Sequence, residues 1–73
     1  MKEYAIITQA FYDEEHESWS DTDLRNGMVP GTSYLVTEKE DGLIGLLNGN
    51  TSGLFSESEI IYVTKKENPE MFL

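Results

Sequence analysis

The residues with the most chemistry to offer stand in one run. Asp13, Glu14, Glu15, Glu17, Asp21 and Asp23 place six carboxylates in eleven positions, with His16 and Trp19 among them and no Lys or Arg. Such a segment repels itself and must be solvated. Cation coordination is the first chemistry to test, because Asp21-x-Asp23 begins as a twelve-residue calcium loop does. The pattern then breaks: Arg25 stands where a third oxygen ligand is needed, Asn26 where the sixth-position Gly belongs, and Thr32 where a bidentate Glu closes the loop. Zinc fares no better, since the chain has no Cys and His16 is its single His. A Ser-His-acid arrangement would have to use that same imidazole, and no Ser sits in a nucleophile motif. Paired carboxylates for general acid and base work exist in number, but a small domain has little room for the apolar cleft that drives their pKa values apart. No catalytic residue, metal or cofactor is assigned, and the chain is read as a non-enzyme.

What these residues can do is recognise. Carboxylates steer a basic partner, and aromatic side chains hold it once it arrives. The candidate partner-binding residues are therefore Tyr12, Glu14, Glu15, Glu17, Trp19, Asp21 and Asp23. Two plainer readings compete with this one. The acidic run can serve only to keep the domain soluble, and Trp19 can cover one end of a small core instead of anchoring a partner.

Charge and composition narrow the classes further. The 73 residues carry 14 acidic and 5 basic side chains, a net charge of −9. The five cations, Lys2, Arg25, Lys39, Lys65 and Lys66, form no stripe interleaved with aromatics, so nucleic acid is not an expected partner. An opposite use of the same charge is the alternative function: a decoy that imitates nucleic acid and occupies a DNA-binding protein, with Glu38, Glu40, Asp41, Glu57 and Glu59 extending the acidic surface. The longest apolar stretch near the N-terminus is Ala5-Ile6-Ile7, far short of a membrane span or a signal-peptide core. A soluble, cytoplasmic monomer without membrane contact is expected. Asn50-Thr51-Ser52 fits a glycosylation sequon but reads better as turn chemistry.

Turn punctuation then sets the elements that must position these groups. Asn26-Gly27, Pro30-Gly31, Asp41-Gly42, Asn48-Gly49 and Gly53 leave no helix-length segment after residue 26. Short strands are expected at 4–12, 33–37, 43–47, 52–55 and 60–64, with Asn48-Gly49-Asn50 joining the third and fourth as a hairpin. Ser56-x-x-Glu59 is a capping-box spacing with room for one 3₁₀ turn before Ile60-Ile61. The expected core is Ile6, Ala10, Leu24, Leu35, Leu46, Phe55, Ile60 and Val63. Residues 1–64 form the domain, and residues 65–73 are expected to be a frayed tail, with Met71-Phe72-Leu73 folding back or meeting a partner as the other option.

These pieces, in this order, resemble the Src homology 3 (SH3) family. Ala10-Phe11-Tyr12-Asp13 is similar to its Ala-Leu-Tyr-Asp opening, and the acidic run occupies the place of its RT loop. Leu24-Arg25-Asn26-Gly27 resembles the diverging turn, Glu38–Gly42 the n-Src loop, Asn48-Gly49 the distal region, and Gly53-Leu54-Phe55 with Ser56–Ile60 the Gly-Leu-Phe-Pro-Ser-Asn-Tyr-Val ending with its 3₁₀ turn. The resemblance covers residues 4–63 and implies an all-β fold, a five-stranded SH3-like barrel with one short 3₁₀ turn near residues 56–59. The extra Met28–Thr32 segment looks like that of bacterial or prophage SH3-like barrels. The binding surface departs from the family. Of five residues that line its polyproline grooves only Tyr12 is matched, while Glu14, Leu43, Ser56 and Glu59 fill the other places. Stacking of prolines needs flat aromatic faces, so proline-rich ligands are not expected.

Overall fold

The computed structural model describes residues 2–72. Five strands, β1 (Tyr4–Ile7), β2 (Tyr34–Glu40), β3 (Leu43–Asn48), β4 (Thr51–Ser56) and β5 (Ile60–Val63), pair antiparallel in the order β4-β3-β2-β1-β5. One helix, α1 (Gln9–Glu15), follows β1 and runs into a 3₁₀ turn at His16–Ser18. Further 3₁₀ turns occupy Glu57–Glu59 and Pro69–Met71. The domain is a mostly-β, five-stranded antiparallel sheet with one short helix.

Two expectations need correction at this level. The sheet is not closed into a barrel, because among the described residues no ladder joins the edge strands β4 and β5. The strand expected over 4–12 also ends at Ile7, and α1 takes its second half. The reason is a local cap. Thr8 stays extended (φ −67°, ψ 146°) and its hydroxyl accepts the Phe11 amide at 3.2 Å, which satisfies one of the free donors that begin a helix. Phe11 and Tyr12 favour strands in isolation, but they reach the core equally well from a helix. Phe11 meets Phe55 edge-on at 5.9 Å. The four residues left to β1 span only about 13 Å. They carry both β2 and β5, and nothing bridges the outer strands.

Elsewhere the turn chemistry holds. Asp41 and Gly42 both adopt positive φ, 52° and 80°, the conformation of a tight Asp-Gly hairpin turn. Glu38-Lys39-Glu40 is therefore strand and not loop, with Lys39 opposite Ile44 and Glu40 opposite Leu43. Asn48 pairs with Thr51 across Gly49-Asn50 to join β3 and β4. Ser56 and Glu59 form the expected capping box, the Ser56 amide donating to Glu59 Oε1 at 2.9 Å.

The core cluster comprises Ala5, Ile7, Trp19, Met28, Ile44, Leu46, Phe55 and Ile60, and Val63 is buried as well. Leu46, Phe55, Ile60 and Val63 were expected there. Ile6 is only half-buried because the pleat of β1 turns Ala5 and Ile7 inward instead. Ala10 lies on the exposed side of α1, Leu35 is half-buried, and Leu24 is 51% exposed. Trp19 and Met28 take their places from the irregular segment 19–33. Successive turns close that segment (Asp23 N to Ser20 O, Asn26 N to Asp23 O, Met28 N to Arg25 O), and Asn48 Nδ2 ties it to β3 by donating to the carbonyls of Leu24 (2.7 Å) and Asn26 (3.0 Å). Residues 65–72, read from sequence as a frayed tail, return across the sheet end: Ser33 N donates to Met71 O at 2.8 Å and Phe72 meets Tyr4 edge-on at 5.0 Å. Leu73, the last residue of that segment, lies outside the described residues.

Candidate partner interface

The first part of the acidic run is not a loop, while Asp21 and Asp23 lie in the irregular segment that follows. Asp13, Glu14 and Glu15 occupy the last turn of α1, Glu17 the 3₁₀ turn behind it, and all four are exposed. A helix C-terminus concentrates the partial negative charge of unpaired carbonyls, so carboxylates there are held at the unfavourable end of the helix dipole. No basic side chain stands in that turn. Gln9 Nε2 donates to Asp13 Oδ1 at 2.9 Å, a neutral contact one turn away. The ion pairs among the described residues are Arg25–Asp23 and Lys39–Glu3, and neither reaches these groups.

The helix is fastened by its aromatic side. Tyr12 stacks flat on His16, 4.1 Å between ring centres and 5° between planes, and meets Trp19 edge-on at 6.1 Å. His16 Nδ1 lies 2.6 Å from the Tyr12 carbonyl, which can only accept, so that nitrogen carries the proton. Phe11 packs on Trp19 and Phe55 from the same side of the helix. Between α1 and the Glu57–Glu59 turn lies a shallow cavity of about 320 Å³ lined by Phe11, Glu14, Glu15 and Glu59 with Thr8, Ala10 and Ser58.

The seven candidate residues thus separate. Glu14 and Glu15 border one cavity, and Glu17 and Asp21 are exposed without an ion pair. Tyr12 is half-buried against His16 and Trp19. Trp19 is not the exposed anchor of the sequence reading. It is 8% exposed and belongs to the core, with the Arg25 guanidinium 5.2 Å above its ring. Its indole N–H is buried without a hydrogen-bond partner. Asp23 is committed to Arg25, whose Nε and Nη2 donate to it at 3.0 and 2.9 Å while the Arg25 amide donates to Oδ1 at 2.9 Å. Those hydrogen bonds hold the Asp23 carboxyl below its ordinary value and raise that of the guanidinium. Arg25 is the residue the sequence reading passed over, and its signal was the Asp23-x-Arg25 spacing that lets one turn close on itself.

Among the described residues no three His, Asp or Glu side chains converge as a cation site requires. No helix among the described residues is long and apolar enough to cross a membrane. No known protein family, curated protein or solved structure matches this chain.

Proposed function

We propose that the domain is a non-enzymatic interaction module, SH3-like in the order of its motifs, whose α1 face docks a basic segment of a partner protein. One observation carries this reading: the carboxylates of Asp13, Glu14 and Glu15 in the last turn of α1, with Glu17 just beyond, form no ion pair among the described residues. A loop that only confers solubility has no need to hold charge at the helix end where it costs about 0.3–1 kcal/mol per group. The proposed contact residues are Glu14, Glu15 and Glu17, with Asp21 at the margin. Tyr12 and Trp19 act from beneath by fixing the helix, and Asp23 with Arg25 braces the turn.

The 3₁₀ turn between β4 and β5 and the capping box that starts it support the SH3-like assignment. Proline-rich ligands are excluded from the proposal on chemical grounds. Glu14 and Glu59 would have to lose hydration where aromatic planes are needed, and Tyr12, the one matched aromatic, is occupied by His16. A second reading, the nucleic-acid decoy, draws support from Glu38, Glu40 and Asp41, which stand exposed along the β2–β3 hairpin.

The test is titration of Lys- and Arg-rich peptides into isotope-labelled domain. Binding that shifts the amides of 13–17, weakens with salt and disappears in the Glu14→Gln/Glu15→Gln/Glu17→Gln triple variant is expected. Binding unchanged in that variant refutes the docking face, and loss on neutralising Glu38, Glu40 and Asp41 instead transfers support to the decoy.

A further inference from the structure

β5 is an edge strand, and its backbone bonds show which groups that edge leaves open. The Thr8 amide donates to the Glu59 carbonyl at 3.1 Å, and the register continues Ile7↔Ile60, Ile6↔Ile61, Ala5↔Tyr62, Tyr4↔Val63. In an antiparallel ladder, residues that aim N–H and C=O at the neighbour alternate with residues that aim them away. Ile61 and Val63 therefore face β1, while Ile60, Tyr62 and Thr64 face outward. Two of the outward groups are already used. The Ile60 amide donates to Glu57 O, and Thr64 O accepts from Asn68 N at 2.9 Å. Four are left: the Ile60 carbonyl, the Tyr62 amide and carbonyl, and the Thr64 amide.

That set is self-complementary. A two-fold axis beside Tyr62 lets the two Tyr62 residues exchange a pair of hydrogen bonds and brings each Thr64 amide onto the Ile60 carbonyl of the other copy. All four open groups are satisfied. The charges agree with the same arrangement. The register sets Glu59 opposite Lys65 and Ser58 opposite Lys66 at each end of the pair, with Glu57 and Glu67 facing one another beyond them. Between these ends the strand has no charge, Pro or bulge to discourage pairing, and Ile61 and Tyr62 are 52% and 40% exposed. Among homo-oligomers a two-fold contact is the commonest arrangement.

We propose that β5 pairs with β5 of a second copy of this chain about a two-fold axis at Tyr62, merging two five-stranded sheets into one. This goes beyond the docking face on α1 and uses a different element. The occupant is the chain itself because the hydrogen-bond pattern is matched by its own reverse and the Glu59–Lys65 pair forms at both ends of it.

Sedimentation equilibrium and amide exchange at about 0.15 M salt test it, a condition whose screening length of about 8 Å mutes the net charge of each copy more than contact pairs. The expected result is a concentration-dependent dimer in which the Tyr62 and Thr64 amides gain protection as the dimer fills. Tyr62→Pro removes an outward donor while leaving the β1 ladder intact and is expected to be monomeric. A pair of charge variants guards against simple misfolding. Lys65→Glu/Lys66→Glu and Ser58→Lys/Glu59→Lys should each be monomeric alone, with the far-ultraviolet circular dichroism of wild type, and should form a heterodimer when mixed. A wild-type chain still monomeric at about 1 mM, where binding is worth only about 4 kcal/mol, overturns the proposal. So does a dimer that survives Tyr62→Pro, or charge variants that fail to rescue each other.

Discussion

Replacing Trp19 by Ala is expected to bring the domain close to unfolding, and replacing it by Phe is not. The indole is 8% exposed and packs against Phe11 and Tyr12 at 6.2 and 6.1 Å, with Arg25 over its face. Truncating a buried aromatic of this size costs about 3–5 kcal/mol. A chain of this length has roughly 4–11 kcal/mol to lose, taking about 0.05–0.15 kcal/mol per residue. Phe keeps a ring against the same neighbours and removes a buried side-chain N–H that has no acceptor among the described residues. An unpaired buried donor carries a penalty of about 1–3 kcal/mol, which offsets part of the volume lost, so the net change for Phe should be about 1–2 kcal/mol. Urea unfolding followed by far-ultraviolet circular dichroism reads both variants, since each loses the indole fluorescence. Equal slopes with shifted midpoints are required for the comparison to report stability alone. A Trp19→Ala midpoint equal to that of wild type would refute the placement of Trp19 in the core, and a Phe variant as damaged as the Ala variant would refute the unpaired indole. The result also bears on function, because lost binding in Trp19→Ala would report an unfolded domain and not a missing anchor.

Other expected outcomes follow from single contacts. Asp23 is held below its ordinary pKa of 3.8 by its hydrogen bonds to Arg25, so its contribution is complete above about pH 4 and fades as pH falls through the lowered value; the stability gap between wild type and Asp23→Asn, measured by urea titration at several pH values, should be widest at neutral pH and narrow on acidification. Gly53→Ala would set a Cβ 2.9 Å from Arg25 Cγ, 3.2 Å from Met28 Sδ and 3.3 Å from the Arg25 Cα, and the resulting strain should lower the melting temperature by an overpacking cost of about 1–3 kcal/mol. Glu14→Gln and Glu15→Gln relieve charge at the helix C-terminus and should each raise stability by a few tenths of a kcal/mol while weakening capture of basic peptides; a loss of stability instead would show that these carboxylates have partners within the fold.

Sequence legibility followed the range of the interactions that decide each element. The Asp41-Gly42 turn, the Ser56-x-x-Glu59 box and strands β3, β4 and β5 depend on neighbours a few residues away and were readable, whereas β2 was expected to stop at residue 37 and runs on to Glu40. The second half of the 4–12 segment was not, because its β-forming aromatics pointed one way and the Thr8 cap another, and tertiary contacts of Phe11 with Phe55 decided between them. The irregular segment 19–33 hid its core members for a related reason. With no strand or helix period to mark them, Trp19 and Met28 could be separated from exposed Leu24 only by knowing that Asn48 binds the Leu24 and Asn26 carbonyls from another part of the chain.

The same distinction explains why the acidic run could be seen and yet misjudged. Composition alone locates six carboxylates, but whether they belong to a mobile loop or a rigid face depends on what lies under them. Here Phe11 and Tyr12 pin α1 to Trp19 and Phe55, so Glu14 and Glu15 project from a fixed helix beside Glu59, and Asp23 is withdrawn to brace Arg25 against the indole. A fixed array loses less side-chain and backbone freedom on binding than a loop would. The burial of Trp19 therefore strengthens the case for the acidic face while removing Trp19 from it: the indole gives up any direct contact with a partner, and in exchange holds the carboxylates where a basic segment can meet them together.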